Sequence, residues 1–284
     1  MLNQIKVALG QVRPVLGNVA SNIDKHLQWV GEARDNDADL IVFPELGLTG
    51  YQVQDLTLEV ARNVKDAGIS RLISASTDID IVFSFVEESD DHRFYISAVY
   101  ASGGEIQHLH RKVYLPTYGM FDEGRYFASG RSFRSFNTKL DRMGLLVCED
   151  AWHLSSPYLL SLDGANLLLL PASSPARSVT DQDQFGSQLF WRQLLSVYAR
   201  LLGLNVVFVN RVGFEDGINF FGGSFVVSAE GNLTVEAPKL EEALVYGEID
   251  LSESRRARYT TPILRDEKID AVTRELERIL KEEG

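Results

Sequence analysis

The strongest constraint on the fold of this chain is a set of short apolar runs that each stop at a polar or turn residue. Residues 39–43 (DLIVF) run into Pro44 and Glu45, and residues 144–147 (GLLV) run into Cys148. Residues 79–86 (IDIVFSFV), 166–170 (NLLLL) and 205–209 (NVVFV) are of the same kind. Runs this short and this rich in branched and apolar side chains are strands, several of them buried on both faces. Residues 6–12 and 94–101 add two more strands. Ser102-Gly103-Gly104-Glu105 turns the latter into a hairpin with 106–108, and Ala229-Glu230-Gly231 joins 224–228 to 232–236.

Helical spacing fills the intervals. Residues 22–36 carry Ile23, Leu27, Val30 and Ala33 on one side. Further helices are expected over about 56–75, over 156–163, and over 184–202 with Phe185, Leu189, Leu194, Val197, Tyr198 and Leu201 on its apolar side. A charged helix over 266–283 closes the chain and is a candidate for an oligomer contact, while Arg255-Arg256-Ala257-Arg258 reads as a solvated basic stretch. Strands alternating with helices define an α/β layered fold, and the mixture of hairpins and crossovers points to two mixed sheets with helices outside. No Pro/Gly/Ser-rich linker or repeat interrupts the 284 residues, so a single domain over 1–284 is expected.

Composition removes several classes of function. A net charge of −12 argues against nucleic acid or an anionic membrane as partner, because phosphate contacts need clustered Lys and Arg. The N-terminal MLNQIKVALGQV lacks the pattern of a signal peptide, and no apolar run approaches the ~20 residues of a membrane span. One cysteine forms no internal disulfide, which suits a reducing, cytoplasmic setting. No H-E-x-x-H or Cys–His cluster suggests a metal, and no cofactor is expected.

Three polar groups stand where apolar elements end: Glu45, Lys112 and Cys148. Taken one at a time, each has an ordinary explanation as a helix-capping carboxylate, a solvated lysine or a buried small hydrophobe. Taken together they form a base, a cation and a nucleophile on loops leaving a sheet. A thiol attacks only once deprotonated. A carboxylate can take that proton and return it to a leaving amine, and an ammonium can hold the oxyanion of a tetrahedral intermediate. None of the five histidines stands at a strand end in the way Glu45 does.

Three segments carry a resemblance. FPELGLTGYQVQDL (43–56), HRKVYLPTYGMFDEGRYF (110–127) and GLLVCEDAW (144–152) resemble, in order, the signature segments of the nitrilase, or carbon–nitrogen hydrolase, superfamily. With VNRVG and FFGGSFVV within 209–227, the similarity is greatest to the glutaminase domain of glutamine-dependent NAD synthetases, without their ATP-using synthetase domain. The resemblance implies an αββα sandwich, often oligomeric. It implies hydrolysis of a small amide through a thioester, with Cys148 as nucleophile, Glu45 as general base and acid, and Lys112 as oxyanion stabiliser. Glu123 matches the second glutamate of the family, which positions substrate and supports the lysine.

Glu149 and Asp150 follow the nucleophile; the Glu149 N–H would face the oxyanion, and both carboxylates should be hydrogen-bonded. Tyr51 and Tyr118 match aromatic pocket positions, and Phe121 and Trp152 add apolar wall. After Ser174-Pro175 the glutaminase branch carries a basic residue for the α-carboxylate of glutamine. Thr180 stands there in this chain, so the cation would have to be Arg177. The expected activities are therefore a stand-alone amidase, a glutaminase subunit feeding ammonia to a separate synthetase, a nitrilase, or a non-catalytic oligomeric scaffold.

Overall fold

A computed structural model describes residues 4–178 and 185–282. In chain order the first half contains β1 (Gln4–Gln11), β2 (Leu40–Val42), β3 (Asp80–Glu88), β4 (Phe94–Ser102) and β5 (Glu105–Arg111). Next come β6 (Phe136–Asn137), β7 (Arg142–Leu145), β8 (Leu167–Ala172), β9 (Asn205–Asn210), β10 (Val212–Glu215) and β11 (Ile218–Phe221), then β12 (Phe225–Val227), β13 (Leu233–Glu236) and β14 (Ala243–Asp250). The strands form two six-stranded sheets, in the orders β14-β1-β2-β3-β4-β5 and β13-β12-β9-β8-β7-β6, with β10-β11 as a separate ribbon. Parallel pairs β1–β2, β2–β3, β7–β8 and β8–β9 lie at the sheet centres, and antiparallel strands flank them.

The alternation of side chains along each strand builds the layers. In β8, Leu167 and Leu169 join one core while Leu168 and Leu170 join another; in β9, Val207 and Val209 divide from Val206 and Phe208 in the same way. The first core includes Leu9, Val42 and Val82 of the opposite sheet and continues to the helices on that sheet's outer face through Ile23, Val30, Ile69 and Leu72. The second lies between the β9–β8–β7 face and the outer helices. Each strand residue is buried on one side or the other, which is why these runs read as continuously apolar. The result is the αββα sandwich expected from the sequence.

Helix α1 (Val19–Asp35) begins earlier than its apolar spacing predicts, because Asn18 caps it by accepting from the Ser21 N–H. The helix expected over 56–75 is broken. Helix α2 (Thr57–Val60) ends, Arg62 runs extended beside Glu87 with its N–H on the Val86 carbonyl, and α3 (Ala67–Ser74) restarts at the Asp66 cap. Pairing with β3 and a fresh N-cap outweigh helical propensity there. Helix α4 (Glu123–Tyr126) is a single turn, and α5 (Ser155–Leu162) follows the second sheet's β7.

Helix α6 (Gly186–Leu202) turns a different face inward from the expected one. Trp191, Leu195, Tyr198, Ala199 and Leu202 are buried, whereas Leu189, Val197 and Leu201 are exposed. Apolar residues encircle this helix, so spacing alone allowed either register. Gln184 lies outside the described residues. Helices α7 (Ser252–Thr260), α8 (Ile263–Asp266) and α9 (Ile269–Glu282) complete the chain, with Glu283 outside the described residues. The basic stretch is not wholly solvated: Arg258 donates to the Asn166 side chain and to the Ala165 carbonyl. No helix among the described residues is long and apolar enough to cross a membrane.

One core histidine gives the fold a pH signature. His26 is buried against Phe43 with ring centroids 4.0 Å apart, and its Nδ1 lies 2.7 Å from the Asn22 carbonyl. Burial pushes its pKa down to about 3. The unfolded chain takes up a proton near 6.5 that the folded chain refuses until about 3. Stability is thus whole above 6.5 and falls as pH drops through that window, by an amount on the order of a few kcal/mol. Replacing His26 with Asn should flatten this part of the stability–pH curve, measured by urea unfolding between pH 7 and pH 4; an unchanged slope would remove His26 as its source.

Candidate active site

Loops at the ends of β2, β5 and β7 bring the three candidate groups together. Pro44 ends β2 with a turn in which the Gly47 N–H returns to the Pro44 carbonyl. Glu45 on that turn is fully buried, and its backbone carbonyl accepts from the Ser173 hydroxyl beyond β8. Lys112 follows β5, its N–H bonded to the Ile96 carbonyl and its carbonyl to the Gly130 N–H. Its side chain is buried, with Nζ 2.7 Å from Glu45 Oε1 and 2.8 Å from each Glu123 oxygen. Glu123 opens α4 and also accepts from the Tyr51 hydroxyl.

One ammonium therefore faces two carboxylates inside the protein. Burial raises Glu123 to about 7, with Lys112 opposing that shift and Glu45 adding to it. Burial works against the charged Lys112, but Glu123, Glu45 and Cys148 together hold it well above the ordinary lysine value. Glu45 Oε2 is buried with no hydrogen-bond partner among the described residues, so one of its oxygens is free to take a proton.

Cys148 opens a short 3-10 turn, Cys148–Trp152, after β7. Its φ of +45° lies in the left-handed region, which costs a non-glycine residue about 1–2 kcal/mol. Such outliers at a strand-to-helix elbow project a side chain out of the sheet. Burial and the neighbouring Glu45 push the thiol well above its ordinary value, opposed by Lys112 and by a hydrogen bond from the Ser173 backbone.

The two carboxylates after the cysteine have different settings. Asp150 is fully buried and accepts from His110 Nε2 at 2.7 Å, from the Val113 and Tyr114 N–H groups at 2.9 and 3.0 Å, and from the Val147 N–H at 3.1 Å. It ties the segment after Lys112 to the elbow that carries Cys148. Glu149 instead faces the cleft and accepts from Tyr118 Oη at 3.0 Å. Burial raises its pKa.

Cys148 lies on a cavity of about 150 Å3 shared with Tyr118, Phe121, Glu149, Trp152, Ser174 and Arg177. Trp152 is 40% exposed and stacks on Phe190 at 4.2 Å, so it is cleft wall rather than core. Ser174 is buried; its hydroxyl accepts from Trp191 Nε1 and its N–H donates to Asn210. Arg177 lies over the Phe121 ring at 4.8 Å, while Thr180 is outside the described residues. Tyr51 and Glu123 do not line this cavity. They line a neighbouring one of about 190 Å3, and the Tyr51 hydroxyl donates to Glu123.

Sequence reasoning passed over His110, Ser173 and Glu215. Glu215 accepts from the Tyr51 and Gln52 N–H groups and from buried Arg211, anchoring the loop that carries Tyr51. Only His110 had a signal in sequence, its place two residues before Lys112.

With this geometry in hand, the family is clear. The carbon–nitrogen hydrolase family model matches residues 6–259, and the chain belongs to that family. It is a hydrolase. Glutamine-dependent NAD(+) synthetase of Acinetobacter baylyi is 32% identical over 254 residues, covering 89% of this chain and 46% of that protein. A solved glutamine-dependent NAD+ synthetase from Acinetobacter baumannii superposes with a TM-score of 0.79 at 35% identity, covering 88% of this chain and 46% of the other. A carbon–nitrogen hydrolase from Helicobacter pylori G27 gives 0.86 at 27% identity, covering 96% and 98%. The chain spans about half the length of the curated relatives it matches.

The adjacent carboxylates provide a test of the frame. Asp150→Asn places an amide against donors and should lower stability by about 1–3 kcal/mol. Glu149→Gln, losing only a contact with half-exposed Tyr118, should stay within about 0.5 kcal/mol of the parent. Thermal unfolding of both variants measures this, and equal shifts would mean that Asp150 is no structural tie.

Proposed function

We propose that the chain hydrolyses the C–N bond of a small amide through a thioester on Cys148. The observation that carries this reading is the buried Glu45–Lys112–Glu123 group beside the Cys148 thiol, with one Glu45 oxygen unpartnered. A thiol held protonated needs a base in contact at the moment of attack. Glu45 takes the proton as Sγ adds to the carbonyl carbon. The oxyanion forms against Lys112 Nζ and the Glu149 N–H, which lies in the first turn of its helix, where backbone N–H groups lack helix partners. Glu45 returns the proton to the nitrogen, ammonia leaves, and the thioester remains. Water, deprotonated by Glu45, then releases the acid and regenerates the thiol. Glu123, held by Tyr51, fixes the lysine on the side away from Glu45.

A cavity of about 150 Å3 suits a small linear substrate. Glutamine is the second reading, favoured by Arg177, whose guanidinium lines the Cys148 cavity and could meet an α-carboxylate. On that reading the ammonia passes to a separate synthetase, in line with the synthetases among the relatives. We read residues 1–284 as one hydrolase domain, suited by its lone thiol to a reducing, cytoplasmic setting. The exposed apolar residues of α6 (Leu189, Phe190, Val197, Leu201) and of α9 (Leu276, Leu280) support a homo-oligomer.

Ammonia release from glutamine, asparagine, simple aliphatic and aromatic amides and ω-amides of keto acids tests the reading. Cys148→Ala should lose turnover ~1,000-fold or more, and Glu45→Gln roughly 100- to 10,000-fold, with folding intact. Retained turnover in Cys148→Ala would rule out the thioester. Turnover of neutral amides with glutamine ignored would favour the stand-alone amidase, and turnover of glutamine lost in Arg177→Gln would favour the glutaminase.

A further inference from the structure

A second cleft lies apart from the Cys148 cavity and shares no lining residue with it. It has a volume of about 310 Å3, in the range of small-ligand sites, and is formed where the loop 129–134 crosses the end of β5. Its charged lining is entirely basic: Arg111, Arg131 and Arg134, with His108 and His110 between them and no Asp or Glu. In a chain of net charge −12 this is a local reversal of sign.

The cations are not equivalent. Arg111 is engaged by Glu87 through two hydrogen bonds, at 2.6 and 2.8 Å, and lies over the Tyr95 ring. His110 is engaged by Asp150. Arg131 and Arg134 form no ion pair within 4.0 Å among the described residues; Asp163 feels the charge of Arg134 at longer range and is itself bridged to Arg142. Two uncommitted guanidiniums thus face one cleft, and Ser129 and Ser132 add hydroxyl groups to its rim.

The loop holding them is built into place. A Cβ on Gly130 would lie 2.0 Å from the Arg111 carbonyl oxygen, so only glycine permits this approach. The Gly130 N–H bonds to the Lys112 carbonyl, and the Ser129 hydroxyl to the Val113 carbonyl. The two exposed arginines are therefore carried on a loop whose backbone is anchored at Ser129 and Gly130.

We propose that this cleft binds a phosphate monoester. Guanidinium forks match phosphate oxygens in pairs, and two free positive charges match one dianion. The cleft exceeds the space of a phosphate group, with Leu109 and the Tyr95 side chain beside it for the organic part. The proposal does not depend on the amide reaction.

The test uses the full chain in isothermal titration calorimetry at low salt. Probes are inorganic phosphate, sulfate, glycerol 3-phosphate, phenyl phosphate and an oligoglutamate peptide. Saturable binding of a phosphate ester at one site, at least threefold tighter than inorganic phosphate, is expected. It should weaken at least tenfold in the Arg131→Gln/Arg134→Gln double variant and stay unchanged in Arg34→Gln, which removes an exposed arginine elsewhere. Both substituted side chains are exposed, and circular dichroism checks that the variant folds. Three results would overturn the proposal: no saturable ester binding, ester binding indifferent to the double substitution, or binding of oligoglutamate but not of the esters.

Discussion

The interaction on which the rest of the site depends is the buried ion cluster of Lys112 with Glu45 and Glu123. One ammonium and two carboxylates removed from water are costly in isolation and are tolerable only as a satisfied group. Each member is therefore held from behind. Glu45 sits on a turn tied by Ser173, Lys112 is pinned through both backbone groups to β4 and to the Gly130 loop, and Glu123 is capped by Tyr51. The amine just beyond the end of β5 bridges the turn after β2, which carries Glu45, and the start of α4, which carries Glu123. Losing the lysine would leave two buried carboxylates near the half-buried Cys148 thiol, a worse arrangement than having none of the three.

The thiol is poised by opposing fields rather than by a simple activating charge. Burial and Glu45 favour the neutral form, while Lys112 and the Ser173 backbone favour the thiolate. In the proposed reaction a thiol in that balance keeps its proton until a base takes it, and a protonated thiol is slow to oxidise. Asp150 keeps the balance geometric. By gathering donors from the elbow, from the segment after Lys112 and from His110, it ties the elbow that carries Cys148 to the segment that follows Lys112.

Much of this was legible in the sequence. The runs DLIVF, NLLLL and NVVFV announced strands buried on both faces, and the polar residue ending DLIVF and GLLV marked where chemistry could sit. What stayed hidden depends on contacts between distant segments. The helix expected over 56–75 breaks because Arg62 pairs with β3, and no local pattern encodes that partner. The inward face of α6 was misread because apolar residues surround it. Tyr51 reads as a pocket aromatic, and the bond from its hydroxyl to Glu123 has no signature in the sequence. Asp150 was expected to be hydrogen-bonded, but its role as a tie required knowing that the chain after β5 passes over the elbow.

The most direct measurement is the pH dependence of Cys148 alkylation by iodoacetamide in the parent protein and in Glu45→Gln. Glu45 raises the thiol's pKa and also occupies Lys112, so its neutralisation acts twice in one direction. The account predicts a midpoint above the ordinary thiol value in the parent and a lower midpoint in Glu45→Gln, even as that variant loses catalysis. An unchanged or higher midpoint in the variant would contradict the placement of Glu45 as the base that faces the thiol.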